Sequence, residues 1–380
     1  MAKSLGSLWL KSIKRMGKAQ QVQGRMLMKS LLPKPVRAAP KLRIKPARLA
    51  ALKPPRQPSA ARARLTAALP GVWQKFWYSR SGSGTIAPAR RMLYWLYLPS
   101  GTAAAQRPLV VMLHGCQQTA TDFAAATRMN ALAERKGFAV LYPQQSASAD
   151  SHRCWHWYKR STQQGQGEVE LIAGMIRQVQ ARHRLDASRT YVAGLSAGAA
   201  LATIVALRHP ELIAAAGLHS APVFGTSDSA MSAYRAMQQG SVRAHSDAAD
   251  TLVRRLPGFA GMPAILIHGD RDSVVRRVNF RQLAEQFEIF NASSLSATPP
   301  VRRDYPARTG GRSPRHGYST ETRYAGSKPQ LVTCEIRALG HAWSGGDDSV
   351  AFSAPEGPDA SLMMWTFFTR HRRAVPDLAS

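Results

Sequence analysis

Two alternating patterns of apolar residues run through most of this chain. Short runs that are almost wholly apolar, such as LVVML at 109–113, are separated by longer segments in which apolar residues recur every three or four positions. The short runs are typical of strands buried on both faces, and the longer segments are typical of amphipathic helices. The predicted strands are 109–113, 138–142, 190–195, 214–218, 264–268 and 331–339, and the predicted helices are 121–136 (capped by Thr121), 168–184, 199–209, 278–290 and 359–371. This alternation indicates an α/β fold with a mostly parallel sheet and helices on both faces.

Other segments of the same body do not follow that alternation. Residues 76–80 and 92–98 predict antiparallel strands on either side of a turn rich in Ser and Gly. Residues 222–262 have some helical periodicity and are expected to line a pocket, whereas 291–329 is rich in Arg, Ser, Pro and Gly and is expected to include a mobile surface loop. We expect one α/β domain over residues 71–376.

The N-terminal extension, residues 1–70, has a different composition. The whole chain has a formal net charge of +30, yet no Asp or Glu occurs before Asp122. Between residues 3 and 32 apolar side chains fall on one side of a helical wheel and basic ones on the other, which predicts a basic amphipathic helix. Pro, Ala, Lys and Arg dominate 32–70, which cannot supply a core and predicts a disordered linker.

Such an extension favours either a surface-bound protein or an inert, solvated tail. A basic amphipathic helix can bind an anionic membrane, a lipid-coated particle or a polyanion, and specific recognition of nucleic acid is not expected. We find neither a secretory-type apolar run after the first lysines nor a stretch of about 18 apolar residues. The sequence therefore predicts a cytoplasmic protein. Its cysteines, Cys116, Cys154 and Cys334, are too few for a disulfide scaffold or a zinc site and do not decide the compartment.

A G-x-S-x-G pattern at residues 194–198 is the first candidate for chemistry. The pattern has meaning only between a strand and a helix, and the predicted strand at 190–195 and helix at 199–209 supply that context. A serine on such a turn becomes a nucleophile when a base removes its proton and a third group orients the base. Ser196 is therefore the candidate nucleophile, and the alternative is a small residue in an ordinary glycine-rich turn.

The later strands offer the acid and the base in the order that an α/β-hydrolase requires, which is nucleophile, acid, histidine. The run AILIHGDRD ends in two candidate acids, and an H-G-x-x-D arrangement favours Asp272 over Asp270, which is more simply a turn residue. The next strand leaves the sheet at Gly340-His341, where an imidazole can reach a serine. His341 is the candidate base, and the alternative is an ordinary surface histidine.

Acyl transfer also needs two N–H donors for the oxyanion of the tetrahedral intermediate. The amide of Ala197, directly after the candidate nucleophile, is one. The loop His114-Gly115-Cys116 after the first buried strand offers the Cys116 amide as the second. Cys116 as the nucleophile is a weaker alternative, because Ser196 has the better context. This chemistry needs no metal and no organic cofactor.

Five stretches give the sequence a family resemblance. They are HGCQQTATDFAAATRMNALAERKGFAVLYPQQ, CWHWY followed by GQGEVELIAGMI, YVAGLSAGAALA, HGDRDSVV and GHAWSGG, in order from about residue 108 to 371. Through them the chain resembles the esterases of the polyhydroxybutyrate (PHB) depolymerase family. The resemblance implies an α/β-hydrolase fold and hydrolysis of esters of 3-hydroxyalkanoic acids, as polymer or oligomer.

The resemblance also implies roles for individual residues. By motif position, Ser196, Asp272 and His341 would form the triad, and the Cys116 amide would lie in the oxyanion hole. Trp155 and Trp157 stand where family aromatic residues lie near the active site and would contact substrate, the alternative being packing under the sheet edge, and Trp343 is a further candidate for contact with substrate. The resemblance makes a disulfide between Cys116 and Cys154 conceivable, with Cys334 unpaired, and such a bond would point to an exported protein.

Other functions stay open on this sequence. The first is a feruloyl or acetyl xylan-type carbohydrate esterase on the same scaffold. The second, from another class, is a granule-surface or polyanion-binding protein with an inactive hydrolase body. For the favoured esterase, we expect residues 1–70 to bring the domain to a polyhydroxyalkanoate granule in the cytoplasm, with an extracellular or periplasmic location as the alternative.

Overall fold

The computed structural model describes residues 69–80, 90–101, 106–241, 245–256, 258–308, 310 and 315–373. The predicted amphipathic helix and the predicted linker as far as residue 68 lie outside the described residues, as do 374–376 at the predicted end of the domain. Within the described ranges, no helix combines the length and the apolar character needed to cross a bilayer.

A ten-stranded sheet runs through the centre of the described body. Its strands in chain order are β1 (Val72–Arg80), β2 (Arg90–Leu98), β3 (Leu109–Leu113), β4 (Ala139–Gln144), β5 (Thr190–Leu195), β6 (Ala215–His219), β7 (Ala264–Gly269), β8 (Val301–Tyr305), β9 (Tyr318–Ala325) and β10 (Lys328–Ile336). Their spatial order is β1-β2-β4-β3-β5-β6-β7-β10-β9-β8. The strands from β4 to β10 in that order are parallel, and antiparallel pairs extend the sheet at both edges. Two short strands, β11 (Trp343–Ser344) and β12 (Ser353–Ala354), pair separately.

Helices cover both faces of this sheet. They are α1 (Ala120–Thr127), α2 (Met129–Lys136), α3 (Arg160–Gln163), α4 (Glu168–His183), α5 (Ala197–Arg208), α6 (Ala230–Gln239), α7 (Ser246–Arg255), α8 (Arg277–Phe290) and α9 (Ala360–Phe368). Apolar residues of α4 to α8 pack into one core and those of α1, α2 and α9 into another, on opposite faces of the sheet. The parallel strands from β3 to β7 are fully buried because both faces are covered. The α/β-hydrolase prediction is confirmed.

The first predicted helix is two helices. Arg128 adopts a left-handed conformation, with φ of 52°, which ends α1 and starts α2 in a new direction. The N-cap is Thr119 and not Thr121, because the Thr119 hydroxyl accepts the Asp122 N–H while the Asp122 carboxylate accepts the Thr119 N–H. The apolar period continues through the break and therefore does not reveal it.

The structure adds to two predictions for the long connections. Residues 222–262 contain the helices α6 and α7; none of them lines the cavity described below, and their lining of a pocket stays a prediction. Residues 291–329, expected to include a mobile surface loop, contain two strands that the sequence pattern does not predict, β8 and β9, which pair antiparallel with each other and, for β9, with β10. Both strands are polar, with β8 exposed and β9 half-buried, so they lack the apolar pattern that predicts the buried strands.

Candidate active site

Ser196 lies on the sharp turn between β5 and α5. Its backbone has φ of 58° and ψ of −122°, a conformation that costs a non-glycine residue free energy and is held only where the surroundings enforce it. Its N–H donates to the His219 carbonyl oxygen at 3.0 Å. The side chain is thereby held at the carboxyl edge of the sheet and lines a small cavity.

The glycines of this turn permit a close approach of backbones. A Cβ atom on Gly198 would lie 2.1 Å from the Leu113 carbonyl oxygen, and one on Gly194 would lie 2.5 Å from the backbone of Gly198. Both contacts are closer than any real Cβ contact. Glycine at these two positions lets α5 begin directly against the end of β3, which brings Ser196 beside the loop that follows β3.

Asp272 and His341 come from neighbouring parallel strands. Asp272 follows β7 and His341 follows β10, and the two strands pair in parallel, so their carboxyl ends lie side by side. His341 Nδ1 lies 2.7 Å from Asp272 Oδ2, and both side chains are buried. The other carboxylate oxygen, Oδ1, accepts the N–H groups of Val274 and Val275 at 2.9 Å each.

The environment keeps the Asp272 carboxyl ionised. Burial alone would raise the pKa of Asp272, but the charge and hydrogen bond of His341, helped by the Val275 N–H, outweigh burial and hold it below its ordinary value. A carboxylate at Nδ1 leaves Nε2 of the imidazole free to face a hydroxyl, which is the orientation that a general base needs.

Asp270 has a different role. It is exposed, and its carboxylate accepts the Ala338 N–H at 2.7 Å, so it braces the turn that leads from β10 toward His341. The structure therefore brings Asp272, and not Asp270, to His341.

The loop after β3 forms the other wall of the cavity. The amide of Cys116 has no hydrogen-bond acceptor among the described residues, and the Ala197 N–H belongs to the first turn of α5, where no intrahelical acceptor exists. Gln118 holds the loop in place by accepting the Gly115 N–H at 2.9 Å. The cavity is lined by Gly115, Cys116, Gln117, Gln118, Leu195, Ser196, Val274, His341 and Phe352. Val274 and Phe352 are not among the predicted site residues, because Val274 is an apolar residue with no chemistry of its own within HGDRDSVV and Phe352 lies in no motif.

A disulfide joins Cys116 to Cys154 and ties the loop after β3 to the loop after β4. The Gln117 N–H also donates to the His152 carbonyl oxygen. The covalent bond thus restrains the loop that presents the Cys116 amide to the cavity. Cys334 is a buried free thiol, and burial raises its pKa well above the ordinary range.

We expect reduction of this disulfide to slow ester hydrolysis. A loosened loop misplaces an N–H donor, and a displacement near 1 Å can cost about 100-fold in rate, so kcat should fall about 10- to 100-fold. The measurement is kcat for p-nitrophenyl butyrate before and after treatment with dithiothreitol. A Cys116→Ser, Cys154→Ser double variant is the control: it should start slow and not respond to dithiothreitol. A wild-type rate that is unchanged after complete reduction would contradict the restraining role.

Two buried histidines beside the cavity were not predicted. His114 Nδ1 donates to the Gly115 carbonyl oxygen at 2.8 Å and Nε2 accepts the Gln145 N–H, so the ring is neutral. Burial lowers the pKa of His114 to about 4 and that of His219 to about 3. His219 stacks on Trp343 with 5.3 Å between ring centroids. Only the packed structure identifies them, because eleven histidines occur in the chain and most belong to no motif.

These histidines should make the protein less stable in acid. Their folded-state pKa values lie below those of the unfolded chain, so between about pH 4 and 6.5 the unfolded state binds more protons and the free energy of unfolding falls as pH falls. We expect a loss of about 2 kcal/mol for each histidine between pH 7.5 and pH 5. Urea unfolding at the two pH values measures it. His114→Asn, which cannot take up a proton at this position, should lose about 2 kcal/mol less than wild type; equal losses would contradict the assignment.

The three candidate tryptophans are buried and outside the cavity lining. Trp155 Nε1 donates to the His114 carbonyl oxygen, and Trp343 Nε1 donates to the Ser361 hydroxyl. Trp157 packs in the core with Tyr158. Their positions do not support the predicted contact with substrate. The packing alternative matches the structure, because the Trp155 indole is hydrogen-bonded to the end of β3 and the Trp343 indole to the start of α9.

The fold is that of an α/β-hydrolase. The chain belongs to the family described as Esterase PHB depolymerase, whose sequence model matches residues 92–308. Among the described residues, no group of His, Cys, Asp and Glu side chains is arranged to hold a metal ion.

Similar proteins include both depolymerases and carbohydrate esterases. Poly(3-hydroxyalkanoate) depolymerase C of Paucimonas lemoignei is 34% identical over 248 residues, which are 64% of this chain and 57% of that protein. A probable acetylxylan esterase A of Neosartorya fischeri is 30% identical over 204 residues, 51% of this chain and 54% of that protein. The chain thus spans little more than half the length of these relatives. The solved acetyl xylan esterase from Aspergillus awamori has a TM-score of 0.57 at 20% identity, covers 78% of this chain and 99% of its own, and shares the fold.

Proposed function

We propose that this chain is a serine esterase that hydrolyses esters of 3-hydroxyalkanoic acids, as PHB or its oligomers, through Ser196, His341 and Asp272. The observation that carries the proposal is the 2.7 Å bond between His341 and Asp272 at a cavity that Ser196 also lines. The proposed substrate is the one named for the 34% identical depolymerase of Paucimonas lemoignei.

The proposed reaction proceeds in two steps. His341 takes the proton of the Ser196 hydroxyl as its oxygen attacks the ester carbonyl, and the amides of Cys116 and Ala197 donate to the oxyanion. His341 then protonates the leaving alcohol, which departs as the ester bond breaks. Water, activated by the same imidazole, hydrolyses the acyl-enzyme and releases the acid. Asp272 holds the Nδ1–H tautomer and stabilises the imidazolium.

A carbohydrate esterase of the acetyl xylan type is the second candidate. The 30% identical acetylxylan esterase and the shared fold of a solved one favour it. A panel of 3-hydroxybutyrate oligomers, acetylated xylan and methyl ferulate separates the two. The proposed function requires the highest kcat/KM on the oligomers and its loss in Ser196→Ala. A higher kcat/KM on acetylated xylan would transfer the assignment to the carbohydrate esterase.

We further propose that residues 1–70 bring the enzyme to an anionic surface such as that of a polyester granule, on the basis of their charge alone. Deletion of residues 1–70 should abolish co-sedimentation with granules at low salt while ester hydrolysis continues. Unchanged co-sedimentation would refute the proposal.

The Cys116–Cys154 disulfide supports an oxidising compartment, and therefore the extracellular or periplasmic alternative over the cytoplasm. Mass spectrometry of protein alkylated in its native compartment without reduction tests this. Two alkylated thiols at Cys116 and Cys154 would return the assignment to the cytoplasm.

A further inference from the structure

A second cavity lies close to the active site. It is a groove of about 750 Å³, bounded by the start of β2, the loop after β4 and the start of α4. The loop after β4 separates the groove from the Ser196 cavity: its residues 145–149 and 153 line the groove, while Cys154 is bonded to Cys116 in the other wall. No role in the proposed acyl transfer accounts for this groove.

The groove is strongly basic. Arg90, Arg91, Arg153 and Lys159 line it, and none of the four pairs with a carboxylate of the described residues. One acid, Glu168, belongs to the lining, but it is already engaged by the Gln145 amide and by His156. Elsewhere in the body arginines form ion pairs with acids, as Arg177 does with Glu211 and Arg277 with Glu335. Four basic side chains less one carboxylate leave the lining with a formal net charge of +3, which favours an anionic occupant.

The same groove also presents apolar surface. Trp77 is 55% exposed, and the Arg91 guanidinium lies 4.7 Å from the centre of its ring. Met92, Leu93 and Leu171 line the floor. Cations next to an exposed indole and aliphatic side chains fit an occupant that carries both a hydrocarbon part and a negative charge.

The register of the sheet places this groove on the side of the molecule where Ser196 lies. Leu93 in β2 pairs antiparallel with Gln144 at the carboxyl end of β4, so the first residues of β2 lie at the same edge as the turn after β5. The order β2-β4-β3-β5 puts three strand spacings between them, or about 14 Å at ~4.8 Å each. An extended chain of about three hydroxyacid repeats spans that distance, because each repeat has one more chain atom than a peptide unit of ~3.6 Å.

We propose that the groove binds the free carboxylate at the end of an oligomeric ester while an ester bond about three repeats away lies at Ser196. The proposal rests on the proposed function and deepens it. The carboxylate end belongs to the alcohol side of the bond that is cleaved, so the groove holds the leaving group. The enzyme would then cleave the chain at a fixed number of repeats from its free carboxylate. The basic tail is excluded as the occupant by its charge, since residues 1–70 contain no acid.

The test compares a linear 3-hydroxybutyrate pentamer as the free acid with its methyl ester, on the full chain. Wild type should have a KM for the acid about tenfold below that for the methyl ester, because charge-assisted hydrogen bonds are lost in the ester. Cleavage of the acid gives two hydroxy acids, and the one from the original carboxylate end should keep a constant length of about three repeats when the pentamer is replaced by a hexamer, while the other lengthens. In the Arg90→Gln, Arg153→Gln double variant the KM ratio should approach one and the fragment pattern should broaden.

Arg303→Gln is the matched control, since Arg303 is exposed on β8 at the opposite edge of the sheet. It should keep the wild-type ratio and pattern, and melting temperatures establish that each variant folds. Equal KM values for acid and ester in wild type would overturn the groove proposal and leave the proposed function standing. The same change of the KM ratio in the double variant and in the control would do so too. No hydrolysis of either pentamer, with p-nitrophenyl acetate still hydrolysed, would instead refute the proposed substrate class and the groove proposal with it. Wild type could also retain single-stranded DNA that the double variant does not retain, with the same KM for acid and ester. That result would overturn the groove proposal and indicate that the groove binds a polyanion.

Discussion

Replacing Ser196 by Ala should lower kcat for p-nitrophenyl butyrate about a million-fold, because a triad without its nucleophile retains only the oxyanion hole and substrate binding. The variant keeps the Cβ atom and the backbone N–H that donates to the His219 carbonyl oxygen. Alanine therefore meets the same backbone conformation as serine, with φ of 58°, and the melting temperature should change little. Steady-state kinetics and thermal unfolding of the same preparation make the measurement.

A suitable control for Ser196→Ala is Ser294→Ala. Ser294 is a half-buried serine after α8, and its hydroxyl donates only to the Asn291 carbonyl oxygen. Its kcat should stay near wild type. Mass spectrometry during turnover of a slow ester should find an acyl adduct on wild type and none on Ser196→Ala. A Ser196→Ala variant with wild-type kcat, or an adduct on Cys116, would refute Ser196 as the nucleophile.

Replacing Asp272 by Asn should lower kcat about 10,000-fold, because an amide donor opposite Nδ1 favours the wrong imidazole tautomer. The bond that changes is the 2.7 Å contact between Asp272 Oδ2 and His341 Nδ1. An asparagine oxygen can still accept the N–H groups of Val274 and Val275, so the turn after β7 should survive. Kinetics from pH 6 to 9, with thermal unfolding as the folding check, measure the effect.

Asp270→Asn provides a matched comparison two residues away. Asparagine can accept the Ala338 N–H as aspartate does, so kcat should stay within about threefold of wild type, the range of an exposed substitution away from the reacting groups. If Asp270→Asn lost more activity than Asp272→Asn, the roles of the two carboxylates would have to be exchanged.

The sequence by itself determined the parts of this protein that depend on local pattern and on order along the chain. Fully apolar runs predicted the parallel strands, because a strand covered on both faces has no polar side. The G-x-S-x-G turn placed Ser196, since the glycines are needed wherever a helix starts directly against a neighbouring strand. The order of Ser196, an Asp after β7 and His341 after β10 followed from the strand sequence, and the structure joins these residues at one edge of the sheet.

Tertiary structure alone decided the features that depend on residues far apart in the chain. The break at Arg128 and the polar strands β8 and β9 have no apolar signature, since their partners lie elsewhere in the sequence. Packing places the indoles of Trp155 and Trp343 outside the cavity lining. Burial lowers the pKa of His114, so that its ring is neutral. The basic groove likewise exists only because β2 folds back antiparallel beside β4 and brings Arg90 near Arg153. Such contacts depend on the register and direction of the strands, which the spacing of apolar residues along the sequence does not specify.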